Sequence, residues 1–151
     1  MVLALLPLLV ACSDLRATFE VKGRAHALTL IRVQGWFWEK TAKYSIVAAR
    51  MPDCMRRHSM STAALNARVE VYSPGNDAWI LKQGEQMYVV ETRTCEGFAK
   101  LDKLPDSGAG TPMGVFEMRK DDLVFTPAVS AAPPAEARAE PGAPAADSIE
   151  N

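Results

Sequence analysis

The sequence predicts an all-β domain, a small antiparallel barrel or sandwich of about 7–8 short strands with a disordered C-terminal tail. Three observations lead there. From Ala17 to Phe125 the apolar residues fall in short β-prone runs, with no sustained 3.6-residue period. Turn residues separate these runs, most plainly Ser73-Pro74-Gly75-Asn76-Asp77, each of which presets or tolerates turn dihedrals. After Pro127 the apolar patterning stops, and alanine and proline take over.

The elements follow in order. Thr18 to Lys22 alternates, and Gly23-Arg24 turns the chain. His26 to Gln34 places Leu28, Leu30 and Arg32 on one face and Thr29, Ile31 and Val33 on the other. Gly35 breaks that run, with Trp36-Phe37-Trp38 at the bend. Lys43 to Arg50 is apolar on both faces, as a central strand should be, and Pro52 ends it because proline has no ladder donor. Residues 55 to 65 read as a connection with one helical turn through Ser61 to Leu65. Ala67 to Tyr72 alternates again; Ala78 to Gln83 and Gln86 to Thr94 form a hairpin about Gly84-Glu85. Phe98 to Leu101 is a short strand, and Leu104 to Gly114 a loop rich in Pro, Gly and Ser. Val115 to Arg119 and Leu123 to Phe125 close the domain as a last hairpin.

At 151 residues and a formal charge of −1, the chain holds one domain and lacks the basic surplus that marks nucleic-acid binding. Residues 127–151 contain nine alanines, five prolines and a net charge of −3, which leaves +2 for the rest. Such a tail cannot form a core and is expected to be disordered.

Residues 2 to 11, Val-Leu-Ala-Leu-Leu-Pro-Leu-Leu-Val-Ala, are apolar and uncharged, and too short to span a bilayer as a helix. At an N-terminus, ending in small residues, such a run has the form of a signal-peptide core. Leu9-Val10-Ala11-Cys12 resembles the lipobox of bacterial lipoproteins, although no Lys or Arg precedes the apolar run. The resemblance, confined to residues 1–12, implies cleavage before Cys12, diacylglycerol on its thiol and an acyl chain such as palmitate on the new amino terminus. It also implies an address. Serine after the cysteine, here Ser13, favours the outer membrane facing the periplasm; the aspartate that would favour the inner membrane comes one place later, at Asp14. Each buried CH₂ adds about 0.8 kcal/mol, so two or three chains make a durable anchor where one does not. The expected organisation is a signal peptide over 1–11, a lipidated tether over 12–16, a β domain over 17–126 and the tail over 127–151.

With Cys12 lipidated, Cys54 and Cys95 remain, and a pair of cysteines in an oxidising envelope compartment most often forms a disulfide. Closing that loop of about 42 residues stabilises by about 4 kcal/mol in the chain-entropy estimate. The alternative is a soft-metal site. Met51, Cys54, Met55, His58 and Met60 lie within ten residues, and thiolate with thioether ligands suits Cu(I). Methionine is equally a filler of core gaps, and a disulfide would remove the best ligand. His26 reads as a surface or edge-strand residue.

No nucleophile elbow, phosphate loop or His-Glu-x-x-His is present in the sequence, so no catalytic residues and no cofactor are assigned. Of the aromatics at the bend, alternation should bury one or two and expose the other; Trp36 or Trp38, if exposed, suits a membrane interface. Arg56 and Arg57 could meet lipid phosphates or an acidic partner. The expected function is a non-enzymatic envelope lipoprotein, held to the membrane through Cys12, that binds or supports another envelope protein or lipid.

Overall fold

The computed structural model describes residues 12–129. The signal-peptide reading of residues 1–11 and most of the alanine- and proline-rich tail lie outside them. The first sheet contains β1 (Ser13–Glu20), β2 (His26–Gln34), β3 (Thr41–Arg50) and β4 (Cys54–Ser59) in that order, with the short β5 (Ala63–Ala64) paired to the start of β3. The second contains β6 (Val69–Gly75), β7 (Ala78–Gln83), β8 (Gln86–Glu91), β9 (Phe98–Leu101), β10 (Thr111–Arg119) and β11 (Asp122–Pro127), in the spatial order β11-β10-β6-β7-β8-β9. All pairings are antiparallel. The all-β expectation holds, and the choice between barrel and sandwich falls to two sheets that do not close into a barrel.

Eleven strands replace the 7–8 expected among these residues. The stretch 55–65, expected to be a connection with a helical turn, instead forms β4 and β5. β4 escaped the pattern because it is an edge strand whose Arg56 and Arg57 supply charge where apolar alternation was sought; charged side chains are how sheets blunt exposed edges. Residues 13–16, expected as part of a tether, are the first half of β1: Ser13 pairs with Gln34, and Leu15 packs on the core. At the other end β10 begins at Thr111, inside the expected loop, and Ala128 N–H donates to the Met113 carbonyl at 2.9 Å, just past the expected domain limit.

The core lies between the sheets. Leu28 and Leu30 of β2 and Tyr44, Ile46 and Ala48 of β3 face Val69, Val71, Leu81, Val90 and Phe116 of the second sheet, all buried. The central place read for Lys43 to Arg50 is correct, since β3 lies between β2 and β4. The turns use the chemistry their residues offer. Asn76 and Asp77, both at φ 58°, form the two-residue turn between Gly75 and Ala78 with the positive dihedrals of a type I′ hairpin. Gly114, at φ 153°, sits where β10 bulges against β6; a Cβ there would strike the Thr126 carbonyl and the Phe125 ring.

Two side closures join the sheets. β1 and β11, each an edge, meet through stacked Phe19 and Phe125 rings, 4.6 Å between centroids. On the opposite side, β4 is fastened to the loop before β9 by the Cys54–Cys95 disulfide.

Candidate functional site

Cys12 is exposed and outside any disulfide, and its Sγ lies 3.4 Å from the Gly35 carbonyl oxygen. The pairing of Ser13 with Gln34 fixes this position, because it brings the foot of β1 to the turn that follows β2. That turn carries Trp36, Phe37 and Trp38, and all three are exposed, at 45, 80 and 61%. The expected burial of one or two of them fails because residues 35–40 leave the sheet, so strand alternation no longer applies. Trp36 and Trp38 stack on each other at 5.0 Å and 14°, and Phe37 meets Trp38 edge-on at 4.7 Å.

The loop holds this shape through polar bonds. Glu39 Oε2 accepts from the backbone N–H of Gly35 at 3.1 Å and Trp36 at 3.3 Å. Gln34 Nε2 donates to the carbonyls of Glu39 at 3.0 Å and Phe37 at 3.4 Å. Glu39 N–H donates back to the Trp36 carbonyl at 3.1 Å. Exposed Lys40 and Lys43 follow directly on the loop and β3. The bracing by Gln34 and Glu39 was not anticipated from the sequence.

The opposite side of the first sheet holds the other candidate residues. Cys54 and Cys95 are 5.9 Å apart at Cα, within the span a disulfide requires. The soft-metal reading loses its thiolate to this bond, and the chain separates the other ligands. Met60 is buried in the core, Met51 and Met55 are exposed, and His58 Nε2 lies 2.8 Å from the Cys95 carbonyl while its ring stacks on Phe98 at 4.8 Å. Among the described residues no group of three or more His, Cys, Asp or Glu side chains could hold a metal ion. Arg56 pairs with Glu96 at 3.2 Å, and Arg57 donates to Ser45 Oγ at 2.8 Å. These arginines pair with Ala48 and Val47, about 20 Å along β3 from the aromatic loop at a rise of about 3.3 Å per residue.

The loop from Thr92 to Gly97 that presents Cys95 winds around the carboxylate of Glu91. Backbone N–H groups of Arg93, Thr94, Glu96 and Gly97 and the Thr94 hydroxyl all donate to it. Burial pushes this carboxyl up, but the Thr94 hydroxyl and the N–H groups of Gly97, Thr94 and Arg93 outweigh it and lower its pKa to about 2. Gly97 is required by the close approach, since a Cβ there would collide with Glu91 Cγ.

His26, expected at the surface, is 6% exposed. Its Nε2 lies 2.7 Å from Thr92 Oγ1, which also receives Trp79 Nε1–H at 3.2 Å and donates to the Asp77 carbonyl at 3.2 Å. A hydroxyl and an imidazole nitrogen can each donate or accept, so this short contact is satisfied by either tautomer of His26. Burial holds the imidazole pKa down, the Arg50 and Lys22 charges add to this, and Asp77 opposes it. The neighbouring Arg50–Asp77 ion pair, 2.8 Å, completes a polar seam at the end of the core. This cluster joins β2, β7 and the end of β8, which is a structural task.

Comparisons with protein-family models, curated proteins and solved structures found no match for this chain.

Proposed function

We propose that this chain is a non-enzymatic bacterial envelope lipoprotein, a β domain held to the membrane by lipid on Cys12, where it binds or supports another envelope component. The observation that carries this is the placement of one unpaired, exposed cysteine at the end of Leu9-Val10-Ala11-Cys12 and at the threshold of the first strand. A lipid-bearing sulfur there leaves the fold undisturbed, since Cys12 precedes β1 and buries nothing. The Cys54–Cys95 disulfide suits an oxidising compartment outside the cytoplasm. Ser13 after the cysteine favours the outer membrane, with the domain in the periplasm.

The test is metabolic labelling with palmitate, together with fractionation of cells expressing Cys12→Ala. The lipoprotein reading expects label and membrane attachment to disappear and an uncleaved precursor to remain. Label retained in that variant would refute it. Crosslinking the intact lipoprotein in envelopes then identifies the component it serves.

A further inference from the structure

We infer that Trp36, Phe37 and Trp38 are a membrane-contacting element that seats the domain in the interfacial layer of the bilayer bearing its anchor. The inference rests on lipid attachment at Cys12 and adds a second, non-covalent contact to it.

Position is the first argument. Cys12 Sγ is 3.4 Å from the carbonyl of Gly35, the residue before Trp36. Lipid on that sulfur enters the bilayer beside the aromatic turn, so the turn is at the membrane surface whenever the anchor is engaged.

Construction is the second. Domains seldom present adjacent large aromatics to water without a use for them. Here the sequence keeps them outward at the expense of polar side chains: Glu39 caps the N–H groups of Gly35 and Trp36, and Gln34 ties down the carbonyls of Phe37 and Glu39. The indoles are thereby held stacked in a fixed loop, which loses little conformational freedom on docking.

Chemistry is the third. The tryptophan ring has an apolar body and one N–H, and it prefers the headgroup boundary to either water or hydrocarbon. Exposed Lys40 and Lys43 adjoin the loop, where their ammonium groups can reach lipid phosphates while the aromatics enter below them.

The protein contains its own reporter. Of its three tryptophans only Trp79 is buried, at 4%. It packs on Phe19 near the far end of β1, about 20 Å from Cys12 at strand rise. Full-length lipoprotein purified from membranes is reconstituted into vesicles of phosphatidylethanolamine and phosphatidylglycerol, with or without bromine on the upper acyl carbons. Wild-type protein should lose tryptophan emission in the brominated vesicles. The Trp36→Phe/Trp38→Phe variant should float with vesicles as fully as wild type and show no such loss.

Wild-type protein that floats with unquenched emission would overturn the inference and leave the anchor intact; it would place the loop in water or against a protein partner. Equal quenching in both proteins would also overturn it, because Trp79 would then be the group near lipid. Protein that carries no lipid and fails to float would overturn the anchor and this contact together.

Discussion

His58 donates from Nε2 to the carbonyl oxygen of Cys95 at 2.8 Å, so the ring that spans the two sheets also braces half of the disulfide beside it. A carbonyl can only accept, which fixes the proton on Nε2. The same ring stacks on Phe98, and Phe98 stacks on Tyr88, whose hydroxyl bonds Ser61 Oγ at 2.7 Å. The crosslink therefore belongs to a packed seam between β4, β8 and β9.

The mature, unreduced protein should accordingly show no titratable thiol other than any unmodified Cys12. Cys54→Ala and Cys95→Ala should each cost up to about 4 kcal/mol, the chain-entropy value for a loop of this length. The double variant should be no less stable than either single one, because all three lack the same bond. Urea unfolding of the three variants checks this. Additive losses would show that the two cysteines act separately.

Much of this architecture was legible in the sequence because burial writes itself as pattern. Leu28 and Leu30, Ala67 to Val71 and the Gly84-Glu85 hairpin all announce alternation or turn chemistry. What escaped was structure whose logic is not apolar. β4 is an edge strand of Cys-Met-Arg-Arg-His-Ser, and its place depends on pairing with β3 and on long-range bonds to Cys95 and Glu96. His26 looked like a surface residue because its partners, Thr92, Trp79 and Asp77, are distant in sequence and meet only after β2 and β7 are assembled. At the candidate site the sequence located Cys12 and the aromatics separately. That they are neighbours follows from the pairing of Ser13 with Gln34, and no local pattern contains it.

Glu91 offers a test of how the Cys95 loop is held. Glu91→Gln keeps the shape but sets an amide against N–H donors, so it should cost about 1.5–3 kcal/mol, the range for bonds to a charged group. The pH dependence has a defined sign. A carboxyl that titrates at about 2 when folded and at 4.5 when free adds stability above pH 4.5, and that stability drains away as pH falls toward 2. Urea midpoints across that window should fall more steeply for wild type than for Glu91→Gln. Parallel curves would mean that the loop does not depend on the carboxylate.

His26 governs a different window. Its folded pKa lies below the ordinary 6.5, so between the two values the unfolded chain binds more protons than the folded one. Stability from this group is therefore complete above 6.5 and declines as pH drops below it. His26→Gln can keep a hydrogen bond to Thr92 Oγ1 without titrating. Comparing its urea midpoint with that of wild type at pH 7.5 and pH 5.5 isolates the contribution of His26. The stability gap between wild type and variant should narrow at the lower pH, and a gap that stays constant would disprove the coupling.

The two side closures should act independently. Phe125 of β11 stacks on Phe19 of β1, while Cys54 of β4 bonds Cys95, and β1 and β4 are the two ends of the first sheet's main strand order. No residue is shared between the two pairs. Phe125→Ala should cost about 2–4 kcal/mol, toward the lower part of the range for phenylalanine truncation because the ring is only partly buried. Combined with Cys54→Ala, its effect should add to within about 0.5 kcal/mol, as separated sites do. A combined loss well below the sum would mean that opening one side already frees the other, and that the two sheets separate as a single hinge.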